Sequence, residues 1–225
     1  MRRFHLHLAS LSLVLVLVAT ACVPDVIEPA KPGEVTLYLE VPNQRLEIDR
    51  SGAHVQASEV RLSLSTPVLD GAGAICLEGA CAGGSRVVTL HAGEQLRWAM
   101  WRLPEGSSAT LRLALVPTTS REMMGGATLL VAGIYNLVLA EPDQNYGHFV
   151  LGLAHEQTIT ADIPPSTSGS RLRLRLDPGV WLYDRDRDRV LDLEELVGKV
   201  STSANGAAAR ELIQRVQGSL LLQTF

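Results

Sequence analysis

The sequence predicts a mainly β protein: an antiparallel β-sandwich with a short C-terminal helical appendage. Three observations carry that reading. Short runs alternate apolar and polar residues at period two between Val35 and Leu176. Clusters of Gly, Pro, Asp and Ser punctuate them. Beyond about residue 183 the alternation gives way to an acidic stretch and then to a helical period.

The strands follow in order. "VTLYLEV" (35–41) and "VRLSLS" (60–65) alternate cleanly, with Val60, Leu62 and Leu64 on one face. "RVVTL", "LRWAMWRL", "TLRLALV", "TLLVAGIYNLVLA", "HFVLGL" and "QTITADI" come next, and "RLRLRL" ends the series. Turn signals such as "DRSG", "LPEGSS" and "EPDQNYG" separate them. About eight or nine strands of this spacing suit two packed sheets. A barrel is the alternative, because alternation does not fix how sheets close.

Two strands raise functional questions. In "RLRLRL", Leu172, Leu174 and Leu176 would face the core and Arg171, Arg173 and Arg175 would line an outer face. That stripe reads as a soluble strand face or charge-protected edge, or else as a basic surface for an acidic glycan or lipid head group. In "LRWAMWRL", alternation puts Trp98 with Met100 on one face and Trp101 with Leu103 on the other. These side chains are either core or a platform on which a sugar could stack.

The N-terminus reads "MRRFHLHLASLSLVLVLVATACV". Arg2 and Arg3 form a positive start, and the apolar run Leu8–Val18 is shorter than the ~20 residues a spanning helix needs. That order of regions marks export. Ala19, Thr20 and Ala21 precede Cys22, and the ending resembles the lipobox of bacterial lipoproteins. The resemblance implies a signal peptide over residues 1–21, lipidation at Cys22, attachment to a membrane through that anchor, and a place at the bacterial cell envelope. Residues 22–34 then hold the lipidated Cys and a Pro-rich extended tether.

With Cys22 assigned to lipid, Cys76 and Cys81 remain as a pair in "ICLEGAC". In an oxidising compartment they predict a small disulfide loop. Their spacing is not the C-x-x-C of redox sites, and they lack zinc-site partners. The chain carries 20 basic and 24 acidic residues, a net charge of −4; loss of Arg2 and Arg3 leaves 18 against 24, or −6. An acidic balance excludes a nucleic-acid partner, whose footprint would be basic.

The chemistry concentrates in "DRDRDRVLDLEEL" (184–196). With Asp184 as the first place, Asp186 and Asp188 take the third and fifth and Val190 offers its carbonyl at the seventh. Leu191 is the aliphatic eighth, Asp192 the ninth, and Glu195 the twelfth, where a bidentate carboxylate completes a shell. Calcium wants about six to eight hard oxygens, and this spacing supplies them from one segment. The pattern resembles the EF-hand and dockerin type of calcium loop. It implies calcium held by Asp184, Asp186, Asp188, Val190, Asp192 and Glu195, as a structural clip rather than a sensor.

Two departures stand out: Arg189 occupies the sixth place, where Gly normally turns the chain, and the incoming "DPGVWLY" reads as strand or turn rather than helix. The alternative is a solvated run in which arginines neutralise the interleaved aspartates. Downstream, "LDLEELVGKV" can make about two helical turns, "STSAN" offers a cap, and "GAAARELIQRVQG" aligns Ala209, Leu212, Ile213 and Val216. Residues 35–183 thus read as the sandwich domain and 184–225 as calcium loop and helical tail.

No G-x-S-x-G, H-E-x-x-H, P-loop or dinucleotide fingerprint occurs in the sequence. The strand pattern as a whole resembles exported lipoproteins with immunoglobulin-like or transthyretin-like sandwiches. Together these readings imply a lipid-anchored, calcium-stabilised, non-catalytic binding or structural module whose partner is a glycan or an envelope protein. A surface carbohydrate-binding or adhesion module and an envelope hydrolase are the alternatives.

Overall fold

The computed structural model describes residues 30–43, 45–47, 54–118, 124, 126–136, 146–165, 169–184, 189–190 and 207–225. The first strands are β1 (Glu34–Glu40), β2 (Arg45–Glu47), β3 (His54–Leu64), β4 (Val68–Asp70) and β5 (Ile75–Gly79). Then come β6 (Arg86–His91), β7 (Gln95–Arg102), β8 (Ala109–Leu115), β9 (Leu129–Asn136) and β10 (Tyr146–Leu153). β11 (Gln157–Ile163) and β12 (Ser170–Arg175) lead to helix α1 (Pro178–Leu182). The short strands β13 (Tyr183–Asp184) and β14 (Arg189–Val190), helix α2 (Ala207–Ser219) and β15 (Leu222–Thr224) follow.

Period-two burial divides strands such as β8 and β12 between core and surface, because successive side chains leave an extended backbone on opposite faces. Leu172, Leu174 and Leu176 are fully buried, and so are Val60, Leu62 and Leu64. Apart from the two-stranded β13–β14 pair, the strands form two sheets rather than one closed barrel. One has the order β15-β12-β1-β7-β5; the other runs β10-β9-β3-β8-β11, with β2 and β6 also beside β3 and β4 beside β8. Their apolar faces share one core, to which β1 gives Leu37 and Leu39, β8 gives Leu111 and Leu113, and β10 gives Phe149. The protein is a β-sandwich with a short helix near its C-terminus.

Three features depart from a plain antiparallel sandwich. β1 and β12 run parallel, in register from Val35↔Ser170 to Glu40↔Arg175. On its other side β1 pairs antiparallel with β7, but Ala99 faces Leu37 while Arg97 faces Tyr38. Trp98 is therefore the extra residue of a bulge, which re-aims its side chain. Finally, the chain does not stop at the helix: β15 pairs antiparallel with β12, matching Leu172 with Thr224 and Leu174 with Leu222.

The tail is packed rather than appended loosely. Leu212, Val216 and Leu220 belong to the same core as the sheets, as do Trp181 and Leu182 of α1. Full burial of a side chain of this kind contributes about 1.5–3 kcal/mol. Both helices are thereby tied to the sandwich.

Candidate functional site

The acidic segment sits between α1 and α2, and its local geometry begins with Asp177. This side chain caps α1: its Oδ1 accepts from the backbone N–H of Gly179 at 3.1 Å and of Val180 at 3.3 Å. Pro178 opens the helix, where its missing N–H costs nothing. The expectation of strand or turn for "DPGVWLY" is thus corrected, since Asp followed by Pro is a helix start.

α1 hands directly to β13, which pairs antiparallel with β14 through Tyr183↔Val190 and Asp184↔Arg189. The backbones of Asp184 and Val190, the first and seventh places of the loop, therefore lie on adjacent strands, which are about 4.8 Å apart. Arg189, at the place where a glycine turn was expected, lies in strand β14 opposite Asp184. Asp186, Asp188, Asp192 and Glu195 lie outside the described residues, as does Cys22. Among the described residues no three His, Cys, Asp or Glu side chains converge as metal ligands.

Both flanks of the segment are anchored to one another. Trp181 is fully buried, and its indole Nε1 donates to Ser219 Oγ at 2.5 Å. Ser219 Oγ in turn donates to the carbonyl of Val216 at 3.1 Å. On α2, the Gln217 carbonyl accepts from Gln157 Nε2 at 3.2 Å, which joins the helix to β11. An ion bound between the two helices would therefore act on a frame already tied to both sheets.

Cys76 and Cys81 form the expected disulfide, with an S–S distance of 2.06 Å and Cα atoms 5.8 Å apart. It closes the end of β5, the outermost strand of the five-stranded sheet. The arginine stripe of β12 is largely neutralised. Arg173 pairs with Glu40 at 3.0 Å and Arg175 with Asp177 at 3.2 Å, while the Phe225 ring lies 5.1 Å from the Arg173 guanidinium. β12 is flanked by β15 and β1, so its charges do not guard an edge. They sit on a solvated sheet face held by ion pairs. Trp101 is buried at 3 % exposure, and Trp98 is partly buried against the core.

A groove of about 340 Å³ opens beside β4, β8 and β11. Asp70 and Asp162 each stand opposite Thr110 in register, so the three form one row across three strands. Thr110 Oγ1 donates to Asp162 at 2.9 Å, and Asp70 pairs with Arg112 at 2.9 Å. Both carboxylates are exposed and already partnered, an arrangement suited to a polar surface cleft rather than to a desolvated general acid. No periodicity in the sequence marks this row, because its members meet only through strand pairing.

No protein-family model, curated protein or solved structure matches this chain. Its functional reading rests on its own residues.

Proposed function

We propose that this chain is an exported, lipid-anchored β-sandwich of the bacterial envelope, stabilised by one calcium ion, that serves as a non-catalytic binding or structural module. The observation that carries the calcium reading is the loop spacing of Asp184, Asp186, Asp188, Val190, Asp192 and Glu195 in the sequence; in β13–β14 Asp184 stands opposite Arg189, the neighbour of Val190. Two ligands of one ion must lie within a few ångströms of each other, and the first and seventh places of a calcium loop are such a pair. Hard carboxylate oxygens of Asp184, Asp186, Asp188, Asp192 and Glu195, with the Val190 carbonyl, fit calcium and not a soft metal. Bound there, calcium would supply a clip between the sandwich and the helical tail and would screen the aspartates. Cys22 would carry the lipid, and the tether would lift the sandwich from the membrane toward a glycan or an envelope protein.

The test is a thermal melt of the exported protein in millimolar calcium and again in excess chelator. Calcium should raise the midpoint, and Glu195→Gln should abolish the rise. A midpoint unmoved by calcium and chelator alike would reduce the segment to a solvated charge run.

A further inference from the structure

We propose that β10 is a self-association edge, along which a second copy of this chain adds its own β10 antiparallel and extends the eight-stranded sheet. β10 ends that sheet, with β9 on one side and no strand on the other among the described residues. Its register against β9 runs unbroken from Tyr146 to Leu153, and it contains no Asp, Glu, Lys or Arg. A free row of backbone donors and acceptors is a template for another strand, and monomeric proteins blunt it with charge, bulges or short length.

The other outer strands are shorter, charged or interrupted: β2 and β4 have three residues each and carry Arg45, Glu47 and Asp70, and the six-residue β6 begins at Arg86. β5 has a register shift between Cys76 and Glu78, a disulfide at its end, and Glu78 paired with Arg97. β15 is only three residues long. β11 carries Asp162 and is joined to α2 through Gln157. By contrast β10 is long, regular and uncharged.

The occupant follows from the residues of β10 itself. A two-fold axis normal to the sheet keeps both inner faces on one side only when the pairing is centred on a residue. Centred on Val150, the pairing runs from Gly147 to Leu153, leaving only Tyr146 of the strand outside it. Phe149 then faces Leu151 of the copy, His148 faces Gly152, and Gly147 faces Leu153. Each large side chain meets an apolar partner or a glycine, and no like charges oppose. Val150 lies on the outer face at 41 % exposure, whereas Phe149 and Leu151 are buried in the sandwich. A charged foreign strand would find no complementary charge in this edge.

Cysteine cross-linking of the full exported chain, extracted in mild detergent, tests this directly. Residues facing each other across an antiparallel pair have Cα atoms about 4.5–5.5 Å apart, within the range of about 4.4–6.8 Å that a disulfide spans. Val150→Cys should therefore shift on oxidation from monomer to twice the mass on a non-reducing gel. His148→Cys is on the same face but roughly 14 Å from its copy along the strand, and it should remain monomeric. Val150→Lys opposes two ammonium groups across the axis. It should lose the wild-type dimer in sedimentation while its far-ultraviolet circular dichroism stays unchanged, and its melting midpoint should no longer depend on protein concentration. The proposal is overturned if Val150→Cys stays monomeric, if both cysteine variants cross-link equally, or if Val150→Lys remains dimeric. A Val150→Cys adduct with a different protein overturns it too, and assigns the edge to a foreign strand.

Discussion

The indole of Trp181 and the hydroxyl of Ser219 are joined by a 2.5 Å hydrogen bond that ties the helix before the acidic segment to the end of the helix after it. Ser219→Ala should cost about 1 kcal/mol through the lost bond. Trp181→Phe should cost about 2–4 kcal/mol, because it also leaves a void in the core. Urea unfolding of the two variants measures both, and equal losses would mean that only the hydrogen bond matters.

The calcium effect has a size set by mass action. If the proposed loop binds calcium with a dissociation constant of ~10⁻⁴ M, about 1 mM free calcium would stabilise the folded chain by about 1.4 kcal/mol. For a domain of this length that is a rise in melting midpoint of about 3–6 °C. Asp184→Asn, like Glu195→Gln, should remove most of the rise while leaving the midpoint in chelator nearly unchanged. A variant that falls equally in both conditions would point to a structural role for the carboxylate without an ion.

Gly133 of β9 has no room for a side chain. A Cβ there would sit 2.7 Å from the Phe149 ring and would also collide with the backbone carbonyl of Gln56. Gly133→Ala should therefore lose about 1–3 kcal/mol in chemical denaturation. Phe149→Leu should not restore it, since the backbone clash remains.

The disulfide closes a very short loop, so its effect on the unfolded chain is modest. Cys76→Ser with Cys81→Ser should lower stability by about 2 kcal/mol and keep the fold, as read from the melt and from far-ultraviolet circular dichroism. Loss of the sandwich signal would show that β5 depends on the bridge.

Cys22→Ser tests the anchor. The variant should move from the membrane fraction to the soluble fraction after export, with the melt of the sandwich unchanged. Retention in the membrane would require some other attachment.

The strands were legible because alternation is local: Val60, Leu62 and Leu64 announce their face without reference to any partner. Leu212 and Val216 did the same at helical spacing, and both are buried. What was not legible depends on pairing at a distance. The parallel match of Tyr38 with Arg173 and the row of Asp70, Thr110 and Asp162 arise only once the sheets assemble. Trp98 was placed by strict alternation, which a bulge opposite Leu37 and Tyr38 interrupts. Asp177 is different in kind: its capping role follows from the local Asp-Pro pair at the start of a five-residue helix.

The parallel pairing of β1 with β12 also dictates a sequence of events in time. Synthesis delivers the chain N-terminus first, so Val35 emerges long before Ser170, the residue it must lie beside. Until then β1 has β7 as its only available neighbour in the sheet. Contacts so remote along the chain make folding slow, and they leave apolar strand faces open while the process waits. The sheet can close around β1 only once the last strands of the chain have been made.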